Sequence, residues 1–429
     1  MSTKAAIPLA TADPAPPQAA GRSVNTTLYA LFLALALTGY PLAGVVTSAL
    51  GREGPTISYA YRILVLLLGA GLSGQAVLRG RPRLPPVLVL IFFSLYFVRL
   101  YYDGFIDPLP GADFAFTFYV SVVLTPCLAV AVASDGYDET KFALSTFWVG
   151  SVACVSIALL DAAGWGVSRL EDTGRLSFDA LNPITVGFTG LFTLIAIIAL
   201  WRQRPRMIPV FLIGGAFAIY SIIEAASRGP AAAGAFAVAV LALARRNFLL
   251  FALLLAVGAY LAYFADDSSL KLLTRFEGVG TDASSAERLF FMENSIREAL
   301  DHPLFGHAYA ETVTFNPPHN LIVESGLAIG LLGVAMMAVI YFQTVRRAWL
   351  LAKAEHEFLA GLLCCAFVNA NLSASLWSSV DFWLPVILSA GVARRIRRNR
   401  DAANPAIPAA TGRGSGGLGQ AIAPGPVNS

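Results

Sequence analysis

Residues 284–333 read SSAERLFFMENSIREALDHPLFGHAYAETVTFNPPHNLIVESGLAIGLLG. They close a longer stretch, 266–333, which opens on Asp266-Asp267-Ser268-Ser269 after a long apolar run and turns apolar again at Leu321. Between the termini this is the one long place where polar and titratable side chains gather, so the chemistry is expected here. Around it the chain is hydrophobic: 56% of its 429 residues are apolar and 13% are charged. An ordinary soluble domain carries about a quarter charged residues. The composition therefore excludes a soluble domain and predicts an all-α, polytopic integral membrane protein.

In a bilayer, continuous apolar runs of about 20 residues satisfy their backbone as helices. About twelve runs are present: 27–49, 58–78, 86–102, 114–133, 142–163, 182–201, 207–226, 230–244, 248–265, 321–345, 358–376 and 381–393. The third, eighth and last are short. The reading divides the chain into a disordered cytoplasmic N-terminal tail (1–26), membrane helices 1–9 (27–265), one long periplasmic loop (266–320), membrane helices 10–12 (321–393) and a basic, then disordered, cytoplasmic tail (394–429). The N-terminal segment lacks the short apolar region and small-residue cleavage site of a signal peptide. Cys127, Cys154, Cys364 and Cys365 all lie in apolar runs and read as packing residues, with neither metal spacing nor a disulfide framework.

The positive clusters fall in a regular order. Arg79, Arg81 and Arg83 follow the second run, Arg202, Arg204 and Arg206 the sixth, Arg245 and Arg246 the eighth, Arg346, Arg347 and Lys353 the tenth, and Arg394 to Arg400 the last. Every cluster follows an even-numbered run, which places both termini in the cytoplasm. The net acidic loop 134–141 departs from the pattern, but acidic residues count little in this rule. Arg169, Arg175, Arg228, Arg275, Arg288 and His319 then fall on the opposite face, against the positive-inside bias, and call for a reason other than topology.

Arg228 ends one apolar run, and Gly229-Pro230 opens the next. It reads equally as an arginine snorkelling to the interface, paired with Glu224 at i, i+4, or as an anion site at a water-filled opening. Ser284-Ser285 with Glu287 predicts a helix start. From there Leu289, Phe290, Met292, Ile296 and Leu300 form an apolar face, with Arg288, Glu293, Arg297 and Glu298 towards the other side. That predicts an amphipathic helix on the bundle or membrane surface, a lid in which Arg288 alone is singled out for chemistry. Pro303 ends it and Gly306 permits a turn. Pro317-Pro318 stiffens the approach to His319 at the start of the tenth run. A helix N-terminus disfavours imidazolium, so His319 suits a general base as well as it suits an interfacial cap. His302 reads as packing or capping, His307 as a turn residue and His356 as part of a charged connection on the cytoplasmic side.

The pattern Asp282…Ser284-Ser285…Arg288, His302-Pro303-Leu304-Phe305-Gly306 and His319-Asn320…Glu324-Ser325-Gly326…Gly330…Gly333 resembles the O-antigen ligase and polymerase superfamily. Ser227-Arg228-Gly229 is similar to that family's arginine motif, as is Arg175 ahead of Asn182-Pro183. The resemblance covers about 175–333. His307 departs from it, where a small residue is expected. It implies a membrane glycosyltransferase of the bacterial inner membrane with a periplasmic site. Such enzymes pass a glycan from undecaprenyl diphosphate to lipid A–core (ligase) or to a second lipid-linked glycan (polymerase). It implies no metal, no cofactor and no nucleotide-sugar donor, and membrane lipids rather than nucleic acid as surroundings. His319, Arg228 and Arg288 are the catalytic candidates; Arg175, Asn320, Glu324 and Arg275 are the substrate-binding ones. The ligase reading is preferred, an O-antigen or exopolysaccharide polymerase being the alternative. A lipid-linked oligosaccharide flippase is the rival from another class; against it stand the lack of an internal repeat and the polar groups gathered at one face.

Overall fold

The computed structural model describes residues 24–50, 56–165, 167–169, 176–178, 181–246 and 283–403. Its apolar runs are helices. They are α1 (Thr26–Thr38), α2 (Tyr40–Ala49), α3 (Thr56–Leu78), α4 (Val87–Tyr101), α5 (Ala112–Phe118), α6 (Thr125–Val132), α7 (Glu139–Ala163), α8 (Pro183–Leu200), α9 (Ile208–Ala225) and α10 (Arg228–Ala244). After residue 282 follow α11 (Ala283–Asp301), α12 (Leu321–Ile329), α13 (Leu331–Lys353), α14 (Glu357–Leu372) and α15 (Val380–Ala403). A π-helical turn, Tyr102–Ile106, extends α4, and another, Tyr119–Leu124, joins α5 to α6.

Among the described residues seven helices are long and apolar enough to cross a membrane, or up to eight if α1 and α2, bent by 62°, form one span. The chain is a multi-pass membrane protein. α10 and α14 are apolar but shorter, and the expected run 248–265 lies outside the described residues. Over the described residues the fold is all-helical apart from a short two-stranded antiparallel ribbon, Val167–Arg169 with Leu176–Phe178, in which Ser168 lies opposite Ser177. The expected C-terminal tail from 394 is helical as far as Ala403.

The expected continuous run 321–345 is broken. Gly330, at φ 77° and ψ −159°, separates α12 from α13. Only glycine holds that conformation without strain. The break lets the segment 303–308 cross against α12: Leu331 N donates to Pro303 O at 2.7 Å, and His307 N to Leu327 O at 2.6 Å. Apolar sequence alone hides this, because both halves read as one hydrophobic run.

Ion pairs tie the connections that follow even-numbered runs. Arg83 pairs with Asp135, His356 with Glu139, and Arg245 with Glu357. Those links bring together the chain after runs two, four, eight and ten. The core between is built of large aromatics: Trp383 packs against Phe92, Phe93 and Phe382, and Phe142 against Phe358. The four cysteines are free and buried within it.

Candidate functional site

The site is assembled around the turn that follows α14. Arg288, in the second turn of α11, donates from Nη1 to Leu372 O at 2.7 Å and to Ser373 Oγ at 3.2 Å. His319 reaches the same turn through the Ser373 backbone. Gly229, next to Arg228 at the start of α10, lies against it as well: a Cβ there would sit 3.6 Å from Ser373 Oγ. Residues about 145 positions apart thus meet on Leu372-Ser373. The turn itself carries no charge, and so it escaped the sequence reading.

Local structure explains how each group is presented. α9 ends on Ala226 in the left-handed region, φ 42°, which turns the chain so that Ser227 precedes α10, without a side-chain cap, and Arg228 occupies its first position. His319 is also left-handed, at φ 56°. Such a conformation in a non-glycine residue costs about 1–3 kcal/mol and persists where its surroundings hold it. Two neighbours hold it. Pro318 is buried before it. After it, Asn320 caps α12, its Oδ1 accepting from Ile322 N at 3.1 Å and Val323 N at 3.2 Å. Burial and the nearby Arg288 guanidinium lower the His319 pKa to about 4, with hydrogen bonding to the Ser373 backbone working the other way. The ring is therefore neutral at pH 7, and its Nδ1 has no hydrogen-bond partner within the protein.

Glu324 is completely buried. Its carboxylate accepts from Ser375 Oγ at 2.8 Å, Leu376 N at 2.9 Å and Tyr96 OH at 3.2 Å. It ties α12, which begins beside His319, to the chain just past Ser373. Arg175 and Arg275 lie outside the described residues.

Helix α11 does not lay its wider apolar face on the bundle, one of the two expected surfaces. Phe291 and Ser295 are buried, whereas Leu289, Phe290, Ile296 and Leu300 are exposed. Arg288 and Glu298 face the protein instead: Glu298 accepts from Thr312 N at 2.9 Å and Thr312 Oγ1 at 2.8 Å. Polar anchoring at Leu372-Ser373 and Thr312 fixes the helix with its narrower Phe291 side inward, because an unmet guanidinium or carboxylate at that depth costs more than exposed apolar area.

A second cluster, unseen in the sequence, steadies the crossing. Arg99 of α4 donates to Ala328 O (3.0 Å), His307 O (3.0 Å) and Phe305 O (3.2 Å), and pairs with Asp103 at 3.2 Å. Asp103 in turn accepts from Tyr309 N at 2.8 Å. A cation at the carbonyl end of α12 is also favoured by the helix dipole. His302 and His307 stack at 4.3 Å, which accounts for the unexpected His307 as a packing partner. Replacing Arg99 by methionine is expected to lower stability by on the order of 3 kcal/mol, since it strands a buried carboxylate. Thermal unfolding in detergent checks this, and the Arg99→Met/Asp103→Asn double variant should recover part of the loss.

Beside Ser373 opens a cavity of about 490 Å³, lined by apolar and aromatic side chains together with Arg62, Asn182, Asn369 and Asp381. Among the described residues no three His, Cys, Asp or Glu side chains group to hold a metal. The arrangement offers the Arg288 guanidinium and a neutral imidazole on one turn, with the backbone next to Arg228 against it and a mostly apolar chamber reaching the same Ser373. That can hold an anionic leaving group and accept a proton from a hydroxyl.

No curated protein matches the chain. Residues 213–338 do match the Wzy_C family, described as O-antigen ligase. The matched segment contains Arg228, Arg275, Arg288, His319, Asn320 and Glu324 and ends before Ser373. The chain therefore carries, over residues 213–338, a domain of the O-antigen ligase family.

Proposed function

We propose that the protein is an inner-membrane glycosyltransferase that moves a glycan from undecaprenyl diphosphate to an acceptor hydroxyl on the periplasmic face, as an O-antigen ligase acting on lipid A–core. The observation that carries the reading is the meeting of Arg288, His319 and the Arg228 turn on Leu372-Ser373. The acceptor oxygen attacks the anomeric carbon of the donor while the bond from that carbon to the diphosphate oxygen breaks. The electron pair leaves with the diphosphate, and the acceptor proton passes to the neutral His319 ring. Attack opposite the leaving group inverts the anomeric centre. Arg228 and Arg288 answer the charge that grows on the diphosphate, so they bind the transition state more strongly than the ground state. The residues provide charge, orientation and a base without a metal. Asn320 and Glu324 act by holding His319 and the Ser373 turn in register. Arg175 and Arg275 are further candidates for the glycan or diphosphate.

Arg228→Ala and Arg288→Ala are each expected to lower transfer by about 10²–10³-fold. The assay is glycan transfer in membranes supplied with lipid-linked glycan, at matched protein levels. Transfer by both variants at the unaltered rate would remove these arginines from the chemistry. Surface-glycan analysis of a deletion strain separates the two acceptors. Free lipid A–core with polymer accumulating on the carrier lipid marks a ligase; single repeats still attached, without long chains, mark a polymerase.

A further inference from the structure

We infer that Arg62 is a phosphate-binding residue for a lipid-linked substrate, seated in the cavity beside Ser373. This rests on the glycosyl-transfer reading above and adds a contact outside the matched family segment. Arg62 is the one charged residue of α3, an apolar span, and lies about 9 Å along the helix from its first residue. It does not turn out towards lipid. Its guanidinium stands 4.3 Å from the Phe118 ring centre, against the neighbouring π-helical segment, and 5.7 Å from that of Tyr59. Among the described residues no carboxylate lies within ion-pair distance of it.

Ionisable groups held within a span mark ligand or ion paths by default. The other charged residue of the chamber is answered differently. Asp381 sits in the first turn of α15, where the helix dipole favours an acid, and its Oδ2 accepts from Asn369 Nδ2 at 2.6 Å. Among the described residues Arg62 is met by ring faces, which hold a guanidinium plane while leaving its N–H edges open to a ligand. Those edges fit a phosphate, and the same cavity reaches Ser373, where Arg288 is bound. The apolar walls, with Phe188, Phe192 and Leu37 among them, suit the chain attached to that phosphate. The phosphate is that of the donor diphosphate or that of a phosphorylated acceptor lipid; the chemistry is shared.

The test uses the full-length protein in detergent micelles. Binding of undecaprenyl diphosphate without glycan, and of phosphorylated lipid A–core, is measured for the unaltered protein, Arg62→Gln and Arg62→Lys. Removing the charge is expected to weaken one of the two ligands about tenfold, with lysine restoring part of the affinity. Weakened diphosphate binding assigns Arg62 to the donor; weakened lipid A–core binding assigns it to the acceptor. Arg62→Gln strands no described carboxylate, and the elution profile checks that the variants are intact. Unchanged affinity for both ligands in an intact Arg62→Gln protein overturns the assignment. Because binding needs no turnover, this outcome is separate from failure of the glycosyl-transfer reading, which would appear as full transfer by the Arg228 and Arg288 variants.

Discussion

Alanine in place of His319 is expected to abolish most glycan transfer, by about 10²–10⁴-fold, the range a positioned acid–base group supplies. Alanine also removes the ring's contact with the Ser373 backbone, so the elution profile and thermal midpoint of the variant are compared with those of the unaltered protein. Removing the strained left-handed histidine does not relieve the conformation, so a glycine variant at 319 serves as a control: it keeps the backbone at φ 56° without strain and should be as inactive as alanine. Membrane glycan transfer at matched expression checks both, and an active alanine variant would take the proton-acceptor role away from His319.

The pH dependence adds an independent arm. The free-enzyme histidine, lowered to about 4 by burial and by Arg288, stays neutral far below the ordinary histidine range. A base works in its neutral form, so kcat/KM should hold steady from pH 7 down to about 5 and fall as the pH drops through about 4. A bound diphosphate places negative charge beside the ring and favours its protonated form. The acid limb of kcat should therefore lie at higher pH than that of kcat/KM. Stability follows the same sign. A histidine whose pKa is depressed by folding contributes stability that is complete above the unfolded value near 6.5 and lost as the pH falls through about 4. Superimposable profiles for the His319→Gln variant and the unaltered protein would show that another group titrates.

Gly330→Ala is expected to be the most damaging small substitution. At φ 77° and ψ −159° the backbone is in a region reserved for glycine, and strain of this kind costs about 1–3 kcal/mol. Space is denied as well: a Cβ would lie 2.6 Å from Leu304 C and O and 2.6 Å from Pro303 O. These atoms are backbone, so no side chain can give way. Gly306, on the facing strand of the crossing, is caught in the same way, its Cβ position 2.5 Å from Leu327 O. Relief requires separating the two segments, which costs the hydrogen bond from Leu331 N to Pro303 O and with it the seat of α12. A lower thermal midpoint and a poor yield of monodisperse protein should result. Gly71→Ala and Gly74→Ala in α3 are the controls: nothing lies within 4 Å of either Cβ position, and alanine is the better helix former. If Gly330→Ala unfolds at the same temperature as those two, the crossing is not what holds α12.

Some of this was legible in the chain alone. Lipid leaves a polypeptide no alternative to satisfied helices, so the apolar runs identified a multi-pass membrane protein. The pairs Arg83–Asp135, His356–Glu139 and Arg245–Glu357 join connections that the charge order could assign to a side but not to a partner. The resemblance carried by Arg228, Arg288 and His319 pointed to the family found over 213–338. What only the tertiary structure decided has a common physical cause. Hydropathy and charge order report a residue's solvent, not its partner. Leu372-Ser373 offers carbonyl and hydroxyl groups that no motif marks. Arg99 and Asp103 sit unremarked in an apolar run until they are seen to hold a crossing about 200 residues away. Gly330 reads as one more small residue, and its φ is set by the backbone it passes. The inward face of α11 was decided by two polar anchors rather than by its wider apolar stripe. Arg62 was passed over for the same reason, because the cavity that gives it meaning is made by distant helices.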